Sequence, residues 1–357
     1  MKQFFKQVVM DMEGYASPPQ KAYRVKLNQN ESPFDVPAPV KQELVEAAKQ
    51  LAWNRYPINE SPALAQKLAQ RHRVRAQQIL LGNGSNHLFQ TLLTAALEPN
   101  DAVVYTVPTF SLYELYTDIY QGRRIEIPQS PGTAYPLEAV LRAIKQEQPR
   151  IVYLCSPNNP TGNEIDLDCV RSICRMTEGL VFFDEAYGEF SEQTAISLLE
   201  EFDNLIISRT FSKAFSMAGL RFGYFVANAP VIEQLRKVNL PYNVNLFTEL
   251  VALRLLDFEK EMTENIAYLK QERERVYAEL RKMRGLEVFP SNANFLLIRG
   301  PERINLFHEL KERGILVRDV SSYPLLRGFQ RVTIGFREEN DLFLSTLAEI
   351  LNSEPAK

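Results

Sequence analysis

The chain of 357 residues is poor in what disulfide scaffolds, metal centres and membrane spans require. Its three cysteines, Cys155, Cys169 and Cys174, are an odd number, and none forms a Cys-x-x-Cys pair, which argues against a disulfide framework. With only His72, His87 and His308, a His-rich metal site is not expected either. No apolar run approaches the ~18 residues of a membrane span. The N-terminus, MKQFFKQVVMDMEGY, is interrupted by charge and lacks the apolar core and small-residue cleavage site of a secretion signal. Neither sign of charge dominates: 41 Lys and Arg against 44 Asp and Glu leave −3. A nucleic-acid partner, which calls for a basic face, is therefore not expected. Repeats, low-complexity tracts and Gly/Ser linkers are lacking too. A chain that is 45% hydrophobic and 24% charged is globular, and its length suggests about two domains. These absences leave a soluble, cytoplasmic α/β protein with no membrane partner.

Short apolar runs punctuate the first two thirds: Ala102–Tyr105, Ile151–Leu154, Leu180–Phe183, Leu205–Ile207 and Tyr224–Val226. Rich in β-branched and aromatic residues, they are predicted to be strands buried on both faces. Helical stretches such as Leu137–Gln146 and Leu167–Met176 separate them, and the alternation predicts a mostly parallel sheet. From Leu246 to Arg284 apolar residues recur at near-helical spacing amid charges, which predicts a long amphipathic helix. Four apolar runs follow, at Gly285–Val288, Phe295–Ile298, Gly314–Val317 and Arg331–Ile334. With a helical stretch at Ile304–Arg313 and another at Leu342–Leu351, they predict a smaller α+β unit. The Pro-rich first forty residues read as an arm packed on a domain.

One lysine stands out. Lys213 lies in Thr210-Phe211-Ser212-Lys213-Ala214-Phe215, just after a predicted buried strand, and ligands of open parallel sheets bind beyond the carboxyl ends of strands. A lone lysine is ordinarily a solvated surface group, but two neighbouring strands also end in unusual polar groups. Leu180–Phe183 runs into Asp184-Glu185-Ala186-Tyr187, and Ile151–Leu154 runs into Cys155-Ser156-Pro157-Asn158-Asn159-Pro160-Thr161-Gly162. An acid, a phenol, an amide and a lysine at one sheet edge suit a pyridine aldehyde cofactor. The amine forms the Schiff base, the carboxylate keeps the ring nitrogen protonated, and the amide and phenol hold the ring hydroxyl. Gly82-Asn83-Gly84-Ser85-Asn86 before an apolar helical stretch offers backbone N–H groups and a helix dipole to a phosphate. Arg221 offers forked donors to the same group.

These residues resemble the fold-type I pyridoxal-phosphate-dependent aminotransferases: Ser156-Pro157-Asn158-Asn159-Pro160-Thr161-Gly162, Asp184-Glu185-Ala186-Tyr187, Thr210–Phe215 and Gly219-Leu220-Arg221. More narrowly, four further segments are similar to the histidinol-phosphate aminotransferase subgroup of class II. They are Leu27-Asn28-Gln29-Asn30-Glu31-Ser32-Pro33, Asn54-Arg55-Tyr56-Pro57, Pro108-Thr109-Phe110 and Arg331-Val332-Thr333-Ile334-Gly335. The resemblance implies pyridoxal 5′-phosphate as cofactor, with Lys213 as Schiff-base partner and proton carrier. It pairs Asp184 with the ring nitrogen, places Asn159 and Tyr187 on the ring oxygen, and stacks Phe110 on the ring. Ser85, Asn86, Ser212 and Arg221 would hold the phosphate, which Tyr56 would reach from the partner subunit of a homodimer. Arg331 and Arg318 would bind the substrate's anionic group, and Tyr15 would cover the substrate. The implied reaction takes L-histidinol phosphate and 2-oxoglutarate to imidazole acetol phosphate and glutamate, in histidine biosynthesis.

The chain departs from the subgroup's pattern at three places. Asn86-His87 stand where an acidic pair is usual, Phe110 replaces a tyrosine, and Phe336 stands where a small hydroxyl residue is common and would narrow the pocket beside Arg331. These changes keep open an aromatic or other amino acid as donor, and a phosphothreonine-type decarboxylase as a different reaction class. A regulator built on the same fold would need an added winged-helix segment, for which the position of Tyr15 leaves no room. The motifs also divide the chain unevenly. Residues 50–242 are expected to form a large cofactor-binding domain, with 1–49 and 243–357 forming a smaller, discontinuous one and the active site between them.

Overall fold

A computed structural model describes residues 4–12 and 23–353. Its strands are β1 (Val25–Leu27), β2 (Ile79–Gly82), β3 (Ala102–Val107), β4 (Arg123–Pro128), β5 (Ile151–Cys155), β6 (Leu180–Asp184), β7 (Leu205–Thr210), β8 (Gly223–Ala227), β9 (Glu287–Phe289), β10 (Phe295–Arg299), β11 (Ile315–Asp319) and β12 (Phe329–Thr333). Seven of them form one sheet in the order β2-β8-β7-β6-β5-β3-β4. From β4 through β7 every neighbour is parallel, whereas β8 runs antiparallel to both β7 and β2. The central strands are buried along nearly their whole length, as expected where helices cover both faces. The helices Leu137–Glu147 and Leu167–Met176 supply two of the crossovers.

β4 is one of the strands that apolar runs alone do not reveal. Its sequence, Arg123-Arg124-Ile125-Glu126-Ile127-Pro128, alternates charge with isoleucine and is nowhere fully buried. That is the pattern of a sheet edge, where charge and proline discourage further pairing.

The second sheet has five strands in the order β1-β11-β12-β10-β9. β9 to β12 are antiparallel neighbours. β1 arrives from the N-terminal segment and pairs parallel with β11, setting Val25 opposite Ile315 and Leu27 opposite Val317. The expected arm is therefore stitched into the C-terminal sheet.

The long helix expected from Leu246 to Arg284 is instead two helices, Leu246–Leu255 and Glu259–Leu280. The first packs on the helices Ala38–Gln50 and Pro62–His72. Its open C-terminal end is satisfied from outside. Lys67 Nζ donates to the Leu253 carbonyl at 2.7 Å and to Asp257, which also accepts from Arg254. Free carbonyls at a helix end need such partners, and here a neighbouring lysine supplies one.

Behind the strand ends lies a buried ionic cluster. Arg209 on β7 bonds Glu185 at 2.5 Å and Glu189 at 2.9 Å, and donates to Thr194 Oγ1 at 3.1 Å. Glu189 also takes Arg71, whose guanidinium lies 5.2 Å from the centre of the Phe215 ring. Removing one partner of such a cluster leaves uncompensated buried charge. Arg209→Met is expected to cost about 3–5 kcal/mol, read as a lowered urea midpoint; an unchanged midpoint would show that the cluster contributes no stability.

Candidate active site

Parallel register brings the predicted site residues together. Cys155 stands opposite Asp184, and Asp184 opposite Ser208, so β5, β6 and β7 deliver their polar continuations to one sheet edge. Asp184 is buried there. The Tyr113 hydroxyl donates to its Oδ2 at 2.8 Å and the Ala186 N–H to its Oδ1 at 3.0 Å. Burial nevertheless pushes the carboxyl up to about 6, because the charged form has lost its water. A cation beside Asp184 would reverse that penalty, as the protonated nitrogen of a pyridine ring does.

Lys213 is half-buried and follows β7. Its Nζ donates to the Gln29 carbonyl at 2.8 Å and lies 6.0 Å from the centre of the Tyr187 ring. Burial, then the positive charge of Arg331, brings its amine down to about 7; Arg221 and Lys26 act in the same direction and Glu31 opposes them. A neutral amine near physiological pH is a nucleophile for an aldehyde.

The second sheet supplies the facing wall. Arg331 on β12 donates through Nη1 to Asn159 Oδ1, and through Nη2 to the Asn28 carbonyl at 2.8 Å. Arg318 on β11 stands directly opposite Arg331 in the antiparallel register. Asn30 Nδ2 donates to the Tyr187 hydroxyl at 2.8 Å, and Asn30 Oδ1 accepts from Thr333. Motif reading quoted Asn28 and Asn30 without giving them roles. The signal was an asparagine immediately after β1: Asn30 bridges chain segments through both ends of its amide, whereas Asn28 contributes its backbone carbonyl. Tyr113, which lies on the helix Leu112–Ile119, was likewise missed.

A cradle for an anion lies at the start of the helix Ser85–Ala96, with Gly84 at φ +79° as its N-cap. Arg221, itself at φ +56°, donates to Ser212 Oγ at 3.2 Å and to the Ala218 carbonyl at 3.1 Å. The space here is fitted to the backbone. A Cβ on Gly84 would stand 2.7 Å from Arg221 Nη2, and one on Gly223 would stand 2.4 Å from the Ser85 nitrogen. The Ser85 and Asn86 amides of the first turn, the Ser212 hydroxyl and the Arg221 guanidinium thus surround one point, a donor set suited to phosphate. His87, on the same turn, is kept uncharged by burial, which lowers its pKa.

The remaining expectations fall elsewhere. Phe110 is half-buried and meets Tyr113 edge-on at 5.7 Å. Phe336 packs edge-on against Phe34 at 5.0 Å and Tyr268 at 6.5 Å, so its ring is engaged in an aromatic cluster. Tyr56 lies on the surface, 81% exposed, stacked on Tyr242 at 4.6 Å. Tyr15 lies outside the described residues. Among the described residues no group of His, Cys, Asp and Glu could hold a metal ion, and no helix is long and apolar enough to cross a membrane.

A family model described as aminotransferase class I and II matches residues 24–347. The chain belongs to that family. A histidinol-phosphate aminotransferase of Ruminiclostridium cellulolyticum is 38% identical over 335 residues, covering 93% of this chain and 94% of that one. Two solved structures share the fold of this aminotransferase. One is the histidinol-phosphate aminotransferase of Sinorhizobium meliloti in complex with pyridoxal 5′-phosphate, with TM-score 0.86, 22% identity and 98% of both chains covered. The other is the L-threonine-O-3-phosphate decarboxylase of Porphyromonas gingivalis, with TM-score 0.80, 24% identity, 92% of this chain and 100% of that one. The expectation of an α/β, pyridoxal-phosphate-dependent aminotransferase stands.

The lowered pKa of Lys213 has a kinetic consequence. Protein freed of cofactor should capture pyridoxal phosphate faster as pH rises from 6 to 8, with a midpoint near 7, because the neutral amine is the attacking form. Stopped-flow absorbance follows the capture; a rate still climbing steeply above pH 9 would show an ordinary lysine.

Proposed function

We propose that this aminotransferase moves an amino group between L-histidinol phosphate and 2-oxoglutarate, giving imidazole acetol phosphate and glutamate (EC 2.6.1.9), as a cytoplasmic homodimer serving histidine biosynthesis. The observation that carries the donor class is the pair Arg318 and Arg331, set opposite each other on β11 and β12. Two guanidinium groups carried at facing positions of neighbouring strands present more forked donors than one, and together they suit a phosphate ester better than a single carboxylate. The 38% identical relative carries the same activity in its name.

When bound, the cofactor supplies an electron-accepting ring for the pair released as the donor's Cα–H bond breaks. Lys213 would supply the amine for the aldehyde and, once released by substrate, would carry the proton. Asp184 would pair with the ring nitrogen and keep it protonated. The Tyr187 hydroxyl already accepts from Asn30, so its own proton is available for the ring oxygen, alongside the Asn159 amide. Phe110 covers the ring face. Ser85, Asn86, Ser212 and Arg221 would bind the phosphate, and Arg318 and Arg331 would grip the substrate's anion. We assign residues 50–242 to the cofactor domain and residues 1–49 and 243–357 to the second, discontinuous domain. The two separate sheets support this division.

The homodimer reading is supported by an apolar surface around Tyr56. Trp53, Ile58, Leu240 and Tyr242 are all large hydrophobics left exposed. Such a patch on a monomer marks an interface, and from it Tyr56 would reach the partner's phosphate site. Sedimentation equilibrium should return twice the chain mass; a monomer at micromolar concentration would overturn this assignment.

Lys213→Ala should lose the absorbance of the lysine-bound cofactor and nearly all activity; an active variant with the parent's spectrum would refute the mechanism. A stopped-flow screen of donors, with CO2 trapped in parallel, tests the substrate. Rapid conversion with histidinol phosphate and none with phosphothreonine or phenylalanine is expected. CO2 release from phosphothreonine would point to decarboxylation, and conversion of phenylalanine alone to an aromatic donor.

A further inference from the structure

Tyr113 is a fully buried tyrosine at the centre of the site that the roles above leave unused. It projects from the first turn of the helix Leu112–Ile119, three residues after Phe110. Its hydroxyl donates to Asp184 Oδ2 at 2.8 Å. Its ring meets Phe110 edge-on, with centroids 5.7 Å apart and planes at 89°. It also packs against Tyr153 at 5.2 Å and Phe182 at 6.2 Å, which lie on β5 and β6. One rigid side chain with only two rotatable bonds therefore touches both the carboxylate expected at the ring nitrogen and the aromatic ring expected over the ring face.

We propose that Tyr113 is a positioning residue that sets Asp184 and Phe110 relative to each other and holds Asp184 in its charged form. This inference rests on the cofactor roles given above for those two residues. A carboxylate so deeply buried needs donors to remain ionised, and the Tyr113 hydroxyl and the Ala186 N–H are those it has. The other groups facing Asp184 do not replace them. The Cys155 thiol on β5 is pushed up to about 12 by burial and stays uncharged. Glu185, next in the chain, opposes ionisation by its own charge, whereas Ser208 on β7 favours it weakly. Tyr187 is also pushed up to about 12, and its hydroxyl is bonded to Asn30. Tyr113 itself is held far above its ordinary value by burial, and the adjacent Asp184 adds to the shift. It therefore remains a protonated donor across the working range.

Without the tyrosine hydroxyl, Asp184 is less often anionic and the ring nitrogen above it loses its proton more readily. A neutral ring withdraws fewer electrons, so the nitrogen joining Lys213 to the cofactor keeps its proton to higher pH.

The test is a spectrophotometric pH titration of the holoenzyme, its Tyr113→Phe variant and a Tyr153→Phe control. The control removes a buried hydroxyl from the same aromatic cluster, one that pairs with Thr117 at 3.2 Å and not with Asp184. Tyr113→Phe should raise the midpoint of the lysine–cofactor band by about half a pH unit or more. It should also lower kcat about tenfold with KM within about twofold, since the lost bond is to a charged group. Tyr153→Phe should leave the midpoint where it is. A Tyr113→Phe midpoint equal to the parent's, or an equal shift in both variants, would overturn the inference. A parent protein that forms no such band would overturn the cofactor reading on which it rests.

Discussion

Positive charge crowded against one sheet edge is the constraint around which the site is arranged. Lys213 follows β7 with the charges of Arg331, Arg221 and Lys26 bearing on it, and Asp184 is buried at the end of the neighbouring β6. Each group shows the cost. Burial and Arg331 bring the lysine down to about 7, and burial brings the aspartate up to about 6. Both are displaced toward their neutral forms, as low-dielectric surroundings require. A cation placed beside Asp184, such as the protonated nitrogen of a pyridine ring, would offset that carboxylate's penalty.

Holding such a site requires neutral connectors, and the chain uses amides. The Asn30 amide, just after β1, donates to the Tyr187 hydroxyl, and the Asn159 amide oxygen accepts from Arg331, whose guanidinium also donates to the backbone carbonyl of Asn28. Amides carry donor and acceptor on one small group, so they link the two sheets without adding a further buried charge. The sheets are also tied by backbone. Asn292 donates to the Gly162 carbonyl at 2.8 Å, and Gly162, at φ +77°, lies so near Ser291 that a Cβ would stand 2.3 Å from its hydroxyl. A glycine is required there on both counts.

Much of this was legible in the sequence because the central strands announce themselves. Continuous apolar runs such as Ile151–Leu154, short and rich in β-branched and aromatic residues, point to strands covered on both faces, and the polar groups that interrupt their ends mark the functional edge. The helix Ser85–Ala96 and its glycine-rich entry were legible for the same local reason. What escaped depends on long-range partners. β4 alternates charge and isoleucine because it lies at a sheet edge, and β1 is three residues long and exists because β11 pairs with it. The helix end at Leu255 takes a partner from Lys67, nearly two hundred positions away in the chain. Tyr113 escaped as well, since a tyrosine in a helical stretch reads as core until its hydroxyl is seen to end on Asp184. Composition could not have shown these contacts, because each requires the folded geometry that it helps to define.

The ionic cluster on the far side of the strand ends bears on why the edge keeps its shape. Glu185 is the next residue after Asp184, and Arg209 lies four residues before Lys213. The bond between them joins β7 to the turn that follows β6 just where the two functional residues diverge. Arg71 extends the tie to Phe215, which stacks on Phe211 at 4.3 Å across the lysine loop. Hydrophobic side chains of similar volume could fill this space at equal or lower cost in stability, but they would leave the loop free to slide along an apolar surface. Directional bonds from a planar guanidinium admit one arrangement. The cluster therefore gains registry at the expense of desolvation, and it fixes the separation between the Lys213 amine and the Asp184 carboxylate.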